Sequence, residues 1–209
     1  TFADAGFETH GFEISPDATR GVDPRAHIRT AASLPEAEYP SEFFDRVVIW
    51  HVLEHVRDPR ATIAEIHRVL KPGGQIIVAV PNFSSWQARW AGADWFHLDL
   101  PRHLHHFPVD GLKRLLGHCD FEVQSEHHFS LRQNPFGWVQ SSLNRSRVVP
   151  RNSLYAMLQQ GQSDSLGMLD RFRSLLMHYL GMPVALGISL VAALFRRGAS
   201  VHVVATAKK

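Results

Sequence analysis

The stretch "WHVLEH" (50–55) places His51, Glu54 and His55 directly after the apolar run "FFDRVVIW". An imidazole ionises near neutrality, so either histidine could accept a proton from a hydroxyl as a general base. The spacing His-x-x-Glu-His also brings three ligand atoms together if the segment makes a helical turn, which is a metal reading. In the competing reading Glu54 and His55 only fix the loop, and the expectation taken forward is no metal. A second imidazole cluster, "PRHLHHF", holds His103, His105 and His106. Alternating or helical spacing would splay these three apart, so one is expected in a site and two at the surface. His51, His55 and His103 are the candidate catalytic residues.

The elements that must position them can be read from periodicity. "FETHGFEI" (7–14) reads as a short strand ending near Glu13, and "AHIRTAASL" (26–34) as a weak strand around Ile28. "FFDRVVIW" (43–50) is a continuous apolar run, expected to be a strand buried on both faces of a parallel sheet. In "RDPRATIAEIHRVLKPGG", Asp58 suits an N-cap, Pro59 the first helical position, and Ile63, Ile66 and Leu70 one face, with Gly73 or Gly74 ending the helix. "QIIVAVPN" is a second buried strand stopped by Pro81, which completes a βαβ unit. A helix over 109–119 and a half-exposed strand over 121–129 follow, with Phe121, Val123, His127 and Phe129 expected on one side. The chain closes with the strand "SVHVVATAKK". About 70 residues lie before it, too many for a loop, and read as two or three helices interrupted at Gly161 and at Gly181-Met182-Pro183. The pattern is an α/β doubly wound, mostly parallel sheet with a helical insertion: a core at 1–130, an insertion at 131–198 and the last core strand at 199–209. Ligands of such sheets sit at the carboxyl ends of strands, here at Glu13, Leu34, Trp50, His51 and Asn82.

Composition narrows the function classes. With 22 Lys plus Arg against 20 acids among 209 residues, and no long basic run, no nucleic-acid partner is expected. The single cysteine, Cys119, excludes an internal disulfide and suits a reducing, cytoplasmic setting. The start "TFADAG" reads as the tail of a helix closed by Gly6, so the chain is expected to be a fragment. Residues 174–197 are about long enough to cross a membrane, but His178, Gly181 and Pro183 interrupt them. They read either as a helical hairpin packed on the sheet or on a second subunit, as in a homodimer, or as peripheral membrane contact with Arg196 and Arg197 at the lipid surface.

The segments "GFEISPDA", "FFDRVVIWHVLEHVRDPRATIAEIHRVLKPGGQIIVAVPN" and "DLPRHLHHFPVDGLKRLL" resemble class I S-adenosylmethionine-dependent methyltransferases, and within them the bacterial group that includes ubiquinone-pathway O-methyltransferases. The resemblance covers roughly 1–130 and the last strand. It implies a Rossmann-like sheet with an antiparallel last strand, S-adenosylmethionine as cofactor, and a small-molecule, lipid-like or saccharide-like methyl acceptor. It implies that Glu13, with Ile14 after it, binds the ribose hydroxyls, that Ser33 and Leu34 border the adenine, and that Trp50 and His51 lie near the methionine part. The family's first strand and Gly-rich loop would precede Thr1, so this chain alone is expected to bind cofactor poorly. The other classes weighed are a nucleotide-binding α/β protein using another cofactor and a non-catalytic partner. Three tryptophans, Trp86, Trp90 and Trp95, with Phe83 and Phe96, read either as an aromatic cover over the acceptor or as core.

Overall fold

The computed structural model describes residues 2–159 and 166–208; Gly161, expected to interrupt a helix, lies outside them. Among the described residues, six strands form two sheets. β1 (His10–Glu13) pairs in parallel with β2 (His27–Thr30). The larger sheet has the order β3 (Phe44–Trp50), β4 (Leu70–Pro81), β6 (Ser200–Ala207), β5 (Phe121–His127). β3 and β4 are parallel, and β6 runs antiparallel to both β4 and β5. This is the expected mostly parallel α/β sheet with an antiparallel last strand.

The βαβ unit forms as its sequence dictates. In helix α1 (Pro59–Val69) the Asp58 side chain accepts from the Ala61 amide at 2.9 Å, Pro59 opens the first turn, and Ile63, Ile66 and Val69 are buried. Burying each of these contributes about 1.5–3 kcal/mol. The helix stops at Val69 rather than at Gly73 or Gly74. Buried Leu70 turns extended, with φ −76° and ψ 141°, and begins β4, whose first residues pair irregularly with β3 where Gly73 holds φ +72°.

Helix α1 and helix α3 (Val109–His118) cover one face of the sheet. Ile63, Ile66, Leu112 and Leu116 meet Ile49, Ile76, Val78, Val80, Val201 and Val203 there. The other face is open, which corrects the reading of 43–50 as a strand buried on both sides. Val48 is 44 % exposed and Trp50 49 %, because no described helix packs over them. β5 corrects a second expectation. Val123 pairs with Ala205 but Ser125 pairs with Val204, so Gln124 is an extra residue in the ladder. A one-residue bulge swaps faces beyond it. His127, opposite His202, therefore leaves the face that holds Phe121 and Val123, and Glu126 turns toward Lys113 of α3.

Between β5 and β6 lie helices α4 (Gln133–Ser146), α5 (Ser153–Leu158) and α6 (Met168–Leu194). Val139, Leu143, Val149, Leu154 and Ala185 form their shared core. α6 runs unbroken through Gly181 and Pro183, so the expected interruption there is absent. Proline removes one donor from the ladder, and flanking packing carries the helix past it. Buried Asn134 ties α4 to the sheet: it donates to the His128 carbonyl at 2.9 Å and accepts from the Ser200 amide at 3.1 Å. Gly198 completes this junction, since a Cβ there would sit 1.7 Å from the His128 oxygen. A short helix α2 (Trp86–Ala91), capped by the Ser85 hydroxyl, packs on α4.

Candidate active site

The strand β3 ends at Trp50, and the chain turns sharply at once. His51 adopts a left-handed φ of +51° while its amide still bonds the Ala79 carbonyl at 2.9 Å. The turn delivers Leu53–His55 as one tight helical turn with Glu54 buried, 1 % exposed. The Glu54 carbonyl accepts from the Leu104 and His105 amides, at 2.8 and 3.2 Å. The "LEH" turn is thereby locked to the "PRHLHH" loop, and the two histidine clusters read separately in the sequence become one.

They line a cavity of about 220 Å³ that opens onto His51, Glu54, His55 and His103, with His97 and Asp99 beside them. Pro81 from the end of β4, Phe96, Arg102, Gln133 of α4 and Tyr155 of α5 complete the wall. Each catalytic candidate has its Nδ1 held by an oxygen acceptor. His51 Nδ1 meets Glu54 Oε1 at 3.2 Å, His55 Nδ1 meets the Arg102 carbonyl at 2.9 Å, and His103 Nδ1 meets the His97 carbonyl at 2.8 Å. A carbonyl or ionised carboxylate only accepts, so the proton belongs on Nδ1 and the lone pair on Nε2 in all three rings. His51 Nε2 and Glu54 Oε2 are buried without a hydrogen-bond partner. The rings of His55 and His103 stand 4.7 Å apart, and single ligand atoms of Glu54, His55 and His103 fall within 4.8 Å of one another.

Burial lowers the His103 pKa, against the pull of the Glu54 and Asp99 carboxylates. It pushes His97 further, down to about 3, with the His51 and His103 charges adding to the effect. Two of the lining imidazoles, His97 and His103, therefore favour the neutral form. His105 and His106 are half-buried rather than at the surface, because their Nε2 atoms turn inward to the Arg57 and Leu98 carbonyls.

The residues that the resemblance assigned to the cofactor sit elsewhere, His51 excepted. Glu13, Ile14, Ser33, Leu34 and Trp50 do not line this cavity. Glu13 ends β1, and Ile14 follows it, in the two-stranded β1–β2 sheet that is not hydrogen-bonded to β3. The Glu13 carboxylate folds back, one oxygen accepting from the Ile14 and Ser15 amides at 2.9 and 3.3 Å. Ser33 donates its hydroxyl to Glu36 at 2.6 Å, and Leu34 packs into the core. Trp50 points to the open sheet face, 4.5 Å from the His202 ring. Asn82 is wholly buried, donating to the Gly198 carbonyl, and is a structural tie. The aromatic segment divides: Trp95 is core, bonded to Gln87 at 3.0 Å; Trp90 stacks on Trp138; and Phe96 alone reaches the cavity.

Sequence reading missed His97, Asp99, Gln133 and Tyr155. Asp99 carried a faint signal, standing three and four residues before Arg102 and His103 and meeting both, at 2.6 and 3.8 Å. Gln133 and Tyr155 had none, because long-range packing brings them in.

Residues 1–126 match a family model described as a methyltransferase domain. Among curated relatives, the ubiquinone biosynthesis O-methyltransferase of Pseudomonas entomophila is 37 % identical over 89 residues, covering 42 % of this chain and 38 % of that protein. The protein of the same description from Pseudomonas syringae pv. tomato is 40 % identical over 89 residues, with the same coverage. The chain thus aligns with well under half the length of these relatives. Among solved structures, a SAM-dependent methyltransferase from Archaeoglobus fulgidus superposes with a TM-score of 0.56 at 16 % identity, covering 98 % of this chain and 78 % of that one. The [4+2]-cyclase SpnF superposes with a TM-score of 0.53 at 21 % identity, covering 95 % of this chain and 65 % of that one. Likenesses at this identity show the fold. With the family match spanning more than half of its length, the chain belongs to the methyltransferase-domain family.

Proposed function

We propose that the protein transfers a methyl group from S-adenosylmethionine to a small-molecule acceptor, lipid-like or saccharide-like molecules included, at the histidine-lined cavity. The observation that carries this reading is the His51–Glu54 pair. A buried carboxylate orients the imidazole through Nδ1, His51 lines the cavity, and its buried Nε2 has no hydrogen-bond partner. That is the arrangement of a general base awaiting a hydroxyl. His55 and His103 present two further Nε2 lone pairs suited to accept from an acceptor hydroxyl.

The residues fit the cofactor in part. Glu13 engages its own backbone through one oxygen, which leaves the other to accept from a ribose diol. Ser33 does not fit the adenine role, since its hydroxyl is committed to Glu36. Bound, the cofactor supplies a methyl group already activated on a sulfonium. The chain's own contribution is then to hold the acceptor and take its proton. The fold alone does not decide the reaction, as a cyclase on the same architecture illustrates. The family match favours methyl transfer over a non-catalytic or other nucleotide-binding role.

One observation favours a second reading. Glu54, His55 and His103 offer two imidazoles and a carboxylate close enough to hold a divalent cation that would bind the acceptor oxygen. Turnover measured before and after a strong chelator separates the two: the base reading keeps activity, and the metal reading loses it and regains it with added cation.

The division into a core at 1–130 and 199–209 with an insertion at 131–198 belongs to this proposal. It is supported by the separate core of α4–α6. So does a cytoplasmic location at a membrane surface, contacted through 174–197, with a homodimer as the competing cover for the same residues. The test of the main proposal is the mass of products formed from hydroxylated acceptors and cofactor, read together with a His51→Gln variant.

A further inference from the structure

Helix α6 is built inside out. Ser174, Ala185, Ser189 and Ala192 form its buried stripe, packed toward α4 and α5. Its bulky side chains face away: Tyr179 is 71 % exposed, Leu180 68 % and Leu194 83 %. A helix on a soluble domain does the reverse. Small residues inward and large apolar ones outward is the packing of helices that meet lipid. By length and composition α6 could cross a membrane, but its inner stripe packs on α4 and α5 of this domain, an arrangement that suits a helix lying along a surface.

Charge decides which surface. No Asp, Glu, Lys or Arg occurs between Arg173 and Arg196. Residues 131–198 carry eight arginines, no lysine and two aspartates, a net +6, while the remaining 141 residues carry 14 Lys plus Arg against 18 acids, a net −4. Two copies meeting through α6 would press two +6 segments together, which disfavours a self-interface. An anionic leaflet complements the same arrangement.

We propose that α6 lies in the interface of an anionic bilayer. Its Leu180–Leu194 face enters the acyl boundary, and Arg173 at one end and Arg196 and Arg197 at the other meet anionic headgroups. The inference rests on the membrane contact proposed above and adds the lipid chemistry that contact requires. It also bears on the acceptor. The Ser153 and Ser174 hydroxyls bond at 2.8 Å across α5 and α6, and Tyr155 of α5 lines the cavity. One short helix therefore packs on α6 and also lines the site, which sets the site beside the proposed lipid-facing helix.

Co-sedimentation of the full chain with vesicles tests this. Vesicles of phosphatidylcholine mixed with phosphatidylglycerol should bind it at least about tenfold more tightly than phosphatidylcholine alone, with the gap closing as salt rises. The double variant Arg196→Glu, Arg197→Glu should lose the preference. The pair Leu180→Gln, Leu194→Gln, at exposed positions, should lose binding to both vesicles while circular dichroism stays unchanged. Equal binding to the two vesicle types would leave membrane contact standing and overturn the anionic inference. Binding to neither, or a dimer in sedimentation velocity that the leucine pair dissolves, would overturn both.

Discussion

His97 should make the protein acid-labile, and the size of the effect follows from its surroundings. The ring is buried between the cavity and α4, where a Cβ on Gly137 would come within 2.8 Å of its Nε2. Burial first, then the His51 and His103 charges, holds its pKa at about 3 against an ordinary value of 6.5. The folded state thus refuses a proton that the unfolded chain accepts. The stabilising contribution is complete above about pH 6.5 and is lost progressively as pH falls toward about 3. At 1.36 kcal/mol per unit, the fall to about pH 5 costs about 2 kcal/mol from this one residue. That is a large share of a domain's total stability of about 5–15 kcal/mol. Urea denaturation at about pH 7 and about pH 5, on wild type and His97→Gln, isolates it. Half-buried His202, with its pKa lowered to about 4 by desolvation, and buried His128 add to the wild-type loss, but they act equally in the variant. The variant should therefore lose about 2 kcal/mol less than wild type over the same interval. Equal losses in the two proteins would refute the reasoning, since they would mean that His97 accepts protons freely in the fold.

Gly137→Ala should destabilise by about 1–3 kcal/mol in the same assay, because its Cβ would meet Gln87 Oε1 at 2.4 Å in a packed junction; an unchanged midpoint would show that α2 and α4 can part at no cost. Asn134→Ala strands a buried carbonyl and a buried amide, and should cost about 2–5 kcal/mol; a loss under about 1 kcal/mol would show that water replaces the side chain. His103→Gln should lower methyl transfer by about 10²-fold or more while leaving cofactor affinity near wild type, whereas His105→Gln, held to Arg57 away from the cavity wall, should stay within a few-fold.

Much of the fold was legible because its strongest signals are local. Asp58-Pro59 and the spacing of Ile63 and Ile66 specify α1, and Pro81 marks the end of β4. The failures have physical causes. An apolar run such as "RVVIW" reads as doubly buried, yet whether its second face is covered depends on what packs there. The Gln124 bulge reverses sidedness in β5 with no residue that announces it. Pro135 and Gly137 hid α4, whose helix is held by Asn134 and Gln140 contacts rather than by propensity. In the site, His51, Glu54 and His55 were visible as one turn. Their union with His97, Asp99 and His103 depends on the Glu54 carbonyl receiving a distant loop, and Tyr155 arrives from a helix a hundred residues downstream. The ribose and adenine roles came only from resemblance, and the fold sets Glu13 on a separate two-stranded sheet, with Ser33 and Leu34 beyond its second strand.

The central claim is that proton transfer from the acceptor occurs at His51 Nε2, inside the cavity shared with His55 and His103. Quantifying the methylated product and S-adenosylhomocysteine formed by wild type and His51→Gln, on one hydroxylated acceptor across a pH series, tests it most directly. The His51→Gln variant should form product about 10²-fold more slowly than wild type, or worse, throughout the series. A variant that keeps near-normal turnover across it would contradict the claim.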